Sequence, residues 1–112
     1  MDELQLREEL TGLLERYYRG CGWPVERVAD GTVRARGIGG ITWIGVPVVA
    51  SDLDDPDFAE RLRVLSEERM PGGERCPLEL LPAEDCGERL RGLLDRLRLA
   101  QRGHVEVYAI AA

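Results

Sequence analysis

The chain contains no lysine, and all fifteen of its basic residues are arginine. Lysine serves as the amine nucleophile of Schiff-base chemistry, as a phosphate clamp and as one member of the acid-acid-lysine triad of metal nucleases. Arginine does not replace it there, because the guanidinium stays protonated and is not a nucleophile. Mechanisms built on lysine are therefore excluded. Other reactive side chains are scarce too: one histidine (His104), three cysteines (Cys21, Cys76, Cys86) and two serines (Ser51, Ser66), with no pair at a recognisable catalytic spacing. An odd cysteine count argues against a disulfide framework and for reduced, half-buried thiols. The 54, 9 and 17 residues lying between Cys21, Cys76, Cys86 and His104 fit no compact zinc pattern. No apolar run approaches the roughly 20 residues of a membrane span. Met1-Asp2-Glu3 opens an acidic amphipathic segment, unlike the basic and then apolar start of a signal peptide. A cytoplasmic location is expected.

What is present fits one domain, residues 1–112. A chain of 112 residues is near the commonest domain size and long enough for a core without staples. With 44% apolar and 32% charged residues it reads as globular rather than disordered. A formal charge of -6 disfavours a general role on nucleic acid or anionic membrane, so neither is expected as a partner.

Leu6, Leu10, Leu13, Leu14, Tyr17 and Tyr18 recur at helical spacing and predict a helix over roughly residues 3–19, stopped by Gly20 and Gly22. Two strands, 25–29 and 32–36, flank Asp30-Gly31, a dipeptide suited to a two-residue hairpin turn. That turn pairs Val28 with Val33 and sets Arg27 opposite Arg34 on the other face. After Gly37-Ile38-Gly39-Gly40 comes Ile41 to Ala50, ten uncharged residues expected to form the central buried strand. Pro47 requires a bulge or a local edge there. A phosphate-cradling reading of the glycines fails because a β-branched strand, not a helix, follows them. A second helix begins at Pro56 with the stripe Phe58, Leu62, Leu65 and ends near Met70. Cys76 to Leu81 suits a strand, and a third helix opens at Pro82-Ala83-Glu84-Asp85 with Gly103 as its C-terminal cap. His104 to Ala111 alternates as a last strand. The expected architecture is α/β with a mixed sheet in the order α-β-β-β-α-β-α-β. An antiparallel meander precedes two parallel crossovers, in a single layer of sheet flanked by helices.

Ligands of such sheets gather past the carboxyl ends of the strands, where two acidic loops fall. Asp52, Asp54 and Asp55 of the first, with Glu84 and Asp85 of the second, are candidate ligands of a hard cation such as Mg²⁺, with Ser51 facing substrate. The plainer account is that these acids cap free helix N–H groups and favour the positive dipole end. No cofactor is expected. Arg27, Arg34 and Arg36 form the one basic cluster, able to grip a carboxylate- or phosphate-bearing partner, or else a solvated face or one covered by the first helix, whose Glu8, Glu9 and Glu15 can pair with it.

A helix, three strands, a helix and a strand is also the order of the restriction-endonuclease-like core, which roughly residues 3–81 resemble in topology. The resemblance implies an acid at the second or third strand and an acid-x-Lys pair on the third. Here Ile41-Thr42-Trp43-Ile44-Gly45-Val46 carries no charge, which implies a degenerate relative without the chemistry. Fold likeness licenses no function by itself.

The expected role is that of a small accessory or interaction protein without catalysis of its own, self-associating or bound to a protein partner. Leu99, off the main stripe of the third helix, and the adjacent Tyr17 and Tyr18 motivate it. The alternatives are a carboxylate-metal enzyme at the strand ends, and a small-molecule module with an apolar pocket near Trp23 or Trp43.

Overall fold

A computed structural model describes residues 2–109. Helix α1 (Glu3–Gly20) opens on a reciprocal cap: Asp2 accepts from the Gln5 N–H at 2.8 Å while the Gln5 side chain accepts from the Asp2 N–H. Strands β1 (Val25–Arg27) and β2 (Val33–Arg36) form a hairpin, and a 3-10 turn (Ile38–Gly40) leads into β3 (Thr42–Val48). Helices α2 (Ala50–Asp54) and α3 (Pro56–Glu67) follow, then β4 (Leu78–Pro82), a 3-10 turn (Glu84–Cys86), α4 (Gly87–Arg96) and β5 (Val105–Val107). The sheet runs β1-β2-β3-β4-β5, antiparallel through β3 and parallel thereafter. This is the mixed α/β sheet expected from the pattern, with a short extra helix before the second long one.

The strands advance across the sheet in one direction, so both crossover helices land on the same face. There Phe58 and Leu62 of α3 and Leu90 and Leu94 of α4 meet Ile44, Val46 and Val48 of β3 and Leu78 and Leu80 of β4. Helix α1 covers the other face with Leu10, Leu14 and Tyr18 against Val33, Ala35 and Leu81. Strands β3 and β4 are buried on both sides, which is why Ile41 to Ala50 has no charge. Pro47 takes the edge solution. Ile44 donates its N–H toward β4, so the nitrogen of Pro47, three residues on, faces the β2 side, where β2 has already ended.

Several expectations are corrected. The hairpin turn has three residues, not two: Gly31 N–H donates to the Val28 carbonyl, Val28 N–H donates to the Thr32 carbonyl, and Gly31 adopts φ +90°. The register is Glu26 opposite Arg34 and Arg27 opposite Val33, one residue away from that expected. One residue of slip exchanges faces, so Arg27 lies under α1 while Arg34 lies on the opposite side. Helix α3 stops at Glu67 rather than near Met70, and Pro82 belongs to β4, so α4 begins only at Gly87. Helix α4 is closed by its C-cap Leu97 and the left-handed residue after it, Arg98 at φ +58°, not by Gly103. Arg98 N–H donates to Asp95 and Leu99 N–H to Leu94, the paired bonds that close a helix end, and they turn Leu99 into the core at 3% exposure. Leu99 is thus a packing residue and no sign of an interface. The last strand is described only at Val105–Val107, and Ile110 and Ala111 lie outside the described residues.

Candidate functional site

The acids proposed as metal ligands do not converge. Asp52, turned inward by the first turn of α2, accepts the Val49 N–H at 2.9 Å and the Arg7 guanidinium at 2.8 Å. Asp54 pairs with Arg89 at 2.7 Å. Asp55 caps α3 by accepting from the Asp57 N–H at 2.9 Å. Glu84 and Asp85 are exposed, and Asp85 lies 3.5 Å from the Cys86 sulfur. Burial first, and Asp85 second, push the Cys86 thiol up to about 11. Ser51 is exposed, and its N–H donates to Glu3 at 3.3 Å. Among the described residues, no three His, Cys, Asp or Glu side chains stand close enough to hold one ion.

The register separates the three arginines. Arg27 spends its fork on Glu8 (2.7 Å) and Glu15 (2.5 Å) of α1. The Arg27 bond holds the Glu15 carboxyl below its ordinary value despite some desolvation. Arg34 is paired with Glu68 on the far face and lowers that carboxyl likewise. Arg36 makes no ion pair among the described residues. His104 donates from Nε2 to the Ser66 carbonyl at 2.8 Å, and the three cysteines are free thiols.

One buried acid escaped the sequence reading. Glu79, second in Leu-Glu-Leu-Leu of β4, points toward α1 and is 6% exposed. Its register partner on β3 is Gly45, where an added Cβ would stand 2.9 Å from the Tyr18 hydroxyl. The missing side chain lets the Tyr18 ring lie on the sheet and donate to Glu79 at 2.6 Å. Tyr108, just past β5, donates to the other oxygen. Burial first and the Glu79 contact second raise both phenols above their ordinary range. Two O–H donors thus satisfy the carboxylate from within the fold. The signal available in the sequence was an acid inside a strand whose neighbours on both faces are apolar.

The remaining feature lies at the opposite end of the sheet, around the 3-10 turn. Gly37 packs on the Trp23 ring so closely that a Cβ would stand 1.5 Å from it, while Gly39 and Gly40 take φ +78° and +81°. Only glycine meets both demands without strain. Held this way, Ile38 projects into water at 96% exposure, beside the half-exposed Ile41. Next to them opens a cleft of about 520 Å³ lined by Cys21, Trp23, Pro24, Ile38, Ile41 and, at its polar margin, Arg36. Trp23 in turn leans edge-on against Trp43, 4.1 Å between centroids. An apolar pocket near Trp23 is what the small-molecule alternative required. Chemically the cleft offers contact area and one cation, with no general base or activated nucleophile among its lining groups.

No protein-family model, no curated protein and no solved structure matches the chain. The order that carries the endonuclease-like resemblance is present through β4, with β3 and β4 parallel, but β3 has no acid and the chain no lysine. The resemblance is one of element order alone.

Proposed function

We propose that this chain is a small cytoplasmic interaction protein without catalysis of its own, which pairs with a second copy through the Ile38 end of its sheet. The observation that carries the reading is the placement of Ile38. Its exposure comes from three glycines and a tryptophan stacked on one of them, and it contributes nothing to folding. Burying an isoleucine side chain is worth about 1.5 to 3 kcal/mol, so the loop gains stability only when something covers it. A projecting side chain and a receiving cleft sit side by side, the self-complementary arrangement that a two-fold contact needs. Arg36 supplies a polar rim to the apolar centre, and it is the one member of the expected arginine cluster without an ion pair among the described residues. Tyr17, exposed on α1, has its ring centroid 6.1 Å from that of Tyr108 and does not line this cleft.

The carboxylate-metal and endonuclease-like readings draw no such support. Asp52, Asp54 and Asp55 are each engaged by a partner of their own. Sedimentation velocity over a micromolar concentration series tests the proposal. It predicts a reversible monomer-dimer equilibrium, whereas a monomer at every concentration overturns it.

A further inference from the structure

Beyond this reading, a second cleft, of about 410 Å³, wraps the other end of the sheet between α1, the β1–β2 turn and α3. Three guanidinium groups line it, Arg7, Arg27 and Arg61, together with the three carboxylates Glu8, Asp30 and Asp52. The first two arginines are committed, Arg7 to Asp52 and Arg27 to Glu8 and Glu15. Arg61 is engaged only loosely. Its guanidinium is carried over the Phe58 ring, 5.1 Å from the centroid, and its ion pair with Asp30 spans 3.8 Å, beyond hydrogen-bond reach. Its buried Nε–H has no acceptor among the described residues.

An orphaned buried donor costs about 1 to 3 kcal/mol, so the Arg61 guanidinium carries hydrogen-bonding capacity that the fold leaves unused. Asp30 is half-committed as well. Its Oδ1 accepts from the Thr32 N–H at 2.9 Å, and Oδ2 faces the cleft margin beside Arg61. What the cleft offers is therefore a donor fork and a carboxylate oxygen side by side, joined by an ion pair but by no hydrogen bond, in a cleft whose formal charges cancel. A lone anion would meet three carboxylates there, and a lone cation three arginines. We infer that this cleft binds a small zwitterion bearing a carboxylate and an ammonium on neighbouring atoms, the α-amino acid class, with Arg61 taking the carboxylate and Asp30 the ammonium. The ring beneath Arg61 fixes the fork in advance, which lowers the ordering cost of binding. The place agrees with the habit of open α/β sheets to bind ligands past the carboxyl end of a parallel strand, here β3.

Calorimetric titration of the full chain tests this, using glycine, alanine and glutamate as zwitterions, and acetate, methylammonium and inorganic phosphate as single-sign controls. The expected result is saturable heat from the amino acids and at least tenfold weaker binding of every control. Arg61→Gln and Asp30→Asn should each weaken the amino acids at least tenfold without moving the thermal midpoint. Asp30→Asn keeps the oxygen that accepts from Thr32, so it carries the test if Arg61→Gln fails to fold. No heat from any amino acid, phosphate binding as well as they do, or unchanged affinity in a folded variant overturns the inference.

Discussion

Two residues invert the usual rule of apolar inside and charged outside, and they do so in opposite ways. Glu79 is a carboxylate in the middle of the molecule at 6% exposure, and Ile38 is an aliphatic side chain at its end at 96%. The fold accommodates the first: Gly45 makes room, Tyr18 and Tyr108 donate, and the acid is satisfied where it lies. It does nothing for the second, and three glycines keep the side chain in water. A buried polar group that the surrounding structure satisfies is explained by the architecture. An exposed apolar group held out by backbone that only glycine can adopt is what the proposed contact with a second copy would cover.

The contrast breaks most readily at Glu79. Glu79→Ala removes the acceptor of two phenols and opens a cavity, and urea unfolding should show a loss of about 3 kcal/mol. A loss under about 0.5 kcal/mol would mean the acid is not integrated into the core. Gly45→Ala sets a Cβ against Tyr18 and Leu14 and should cost about 1 to 3 kcal/mol by the same assay. Tyr18→Phe, which deletes the more buried donor, should cost about 1 to 2 kcal/mol, more than Tyr108→Phe at the half-exposed position. Linkage to pH gives an independent check. Both phenols titrate higher in the folded chain than when unfolded, so the unfolded state loses protons first as pH rises. Their contribution is complete below the ordinary tyrosine pKa of about 10 and declines above it, so alkaline unfolding should be blunted in Tyr18→Phe. The smallest effect belongs to an ordinary surface pair: Asp54→Asn frees Arg89 and should change stability by less than about 0.5 kcal/mol.

The parts of the fold set by periodicity were legible in the sequence. The uncharged stretch from Ile41 marked a strand covered on both faces, and the leucine stripes marked the helices that cover it. The hairpin register was not legible, because Asp30-Gly31 serves a two-residue turn and a three-residue one equally well. That single residue decides which face each arginine occupies. Arg98 took the left-handed cap position expected of a glycine, and so drew Leu99 inward, which no local propensity announces. Glu79 hid for a different reason. Its partners come from α1, β3 and the segment after β5, and sequence spacing does not show that residues 18, 45, 79 and 108 meet. The acidic loops follow β3 and β4 as expected, yet local capping and nearby arginines claim Asp52, Asp54 and Asp55, while Glu84 and Asp85 stay exposed.

The claim that Ile38 is held out for a partner is tested most directly by measuring dimerisation and urea stability on the same samples of wild type and Ile38→Asp. The account predicts that the variant sediments as a monomer where wild type dimerises, while its unfolding midpoint at a concentration too low for dimers is unchanged. Identical sedimentation of the two proteins, or a variant that loses stability as a monomer, would contradict it.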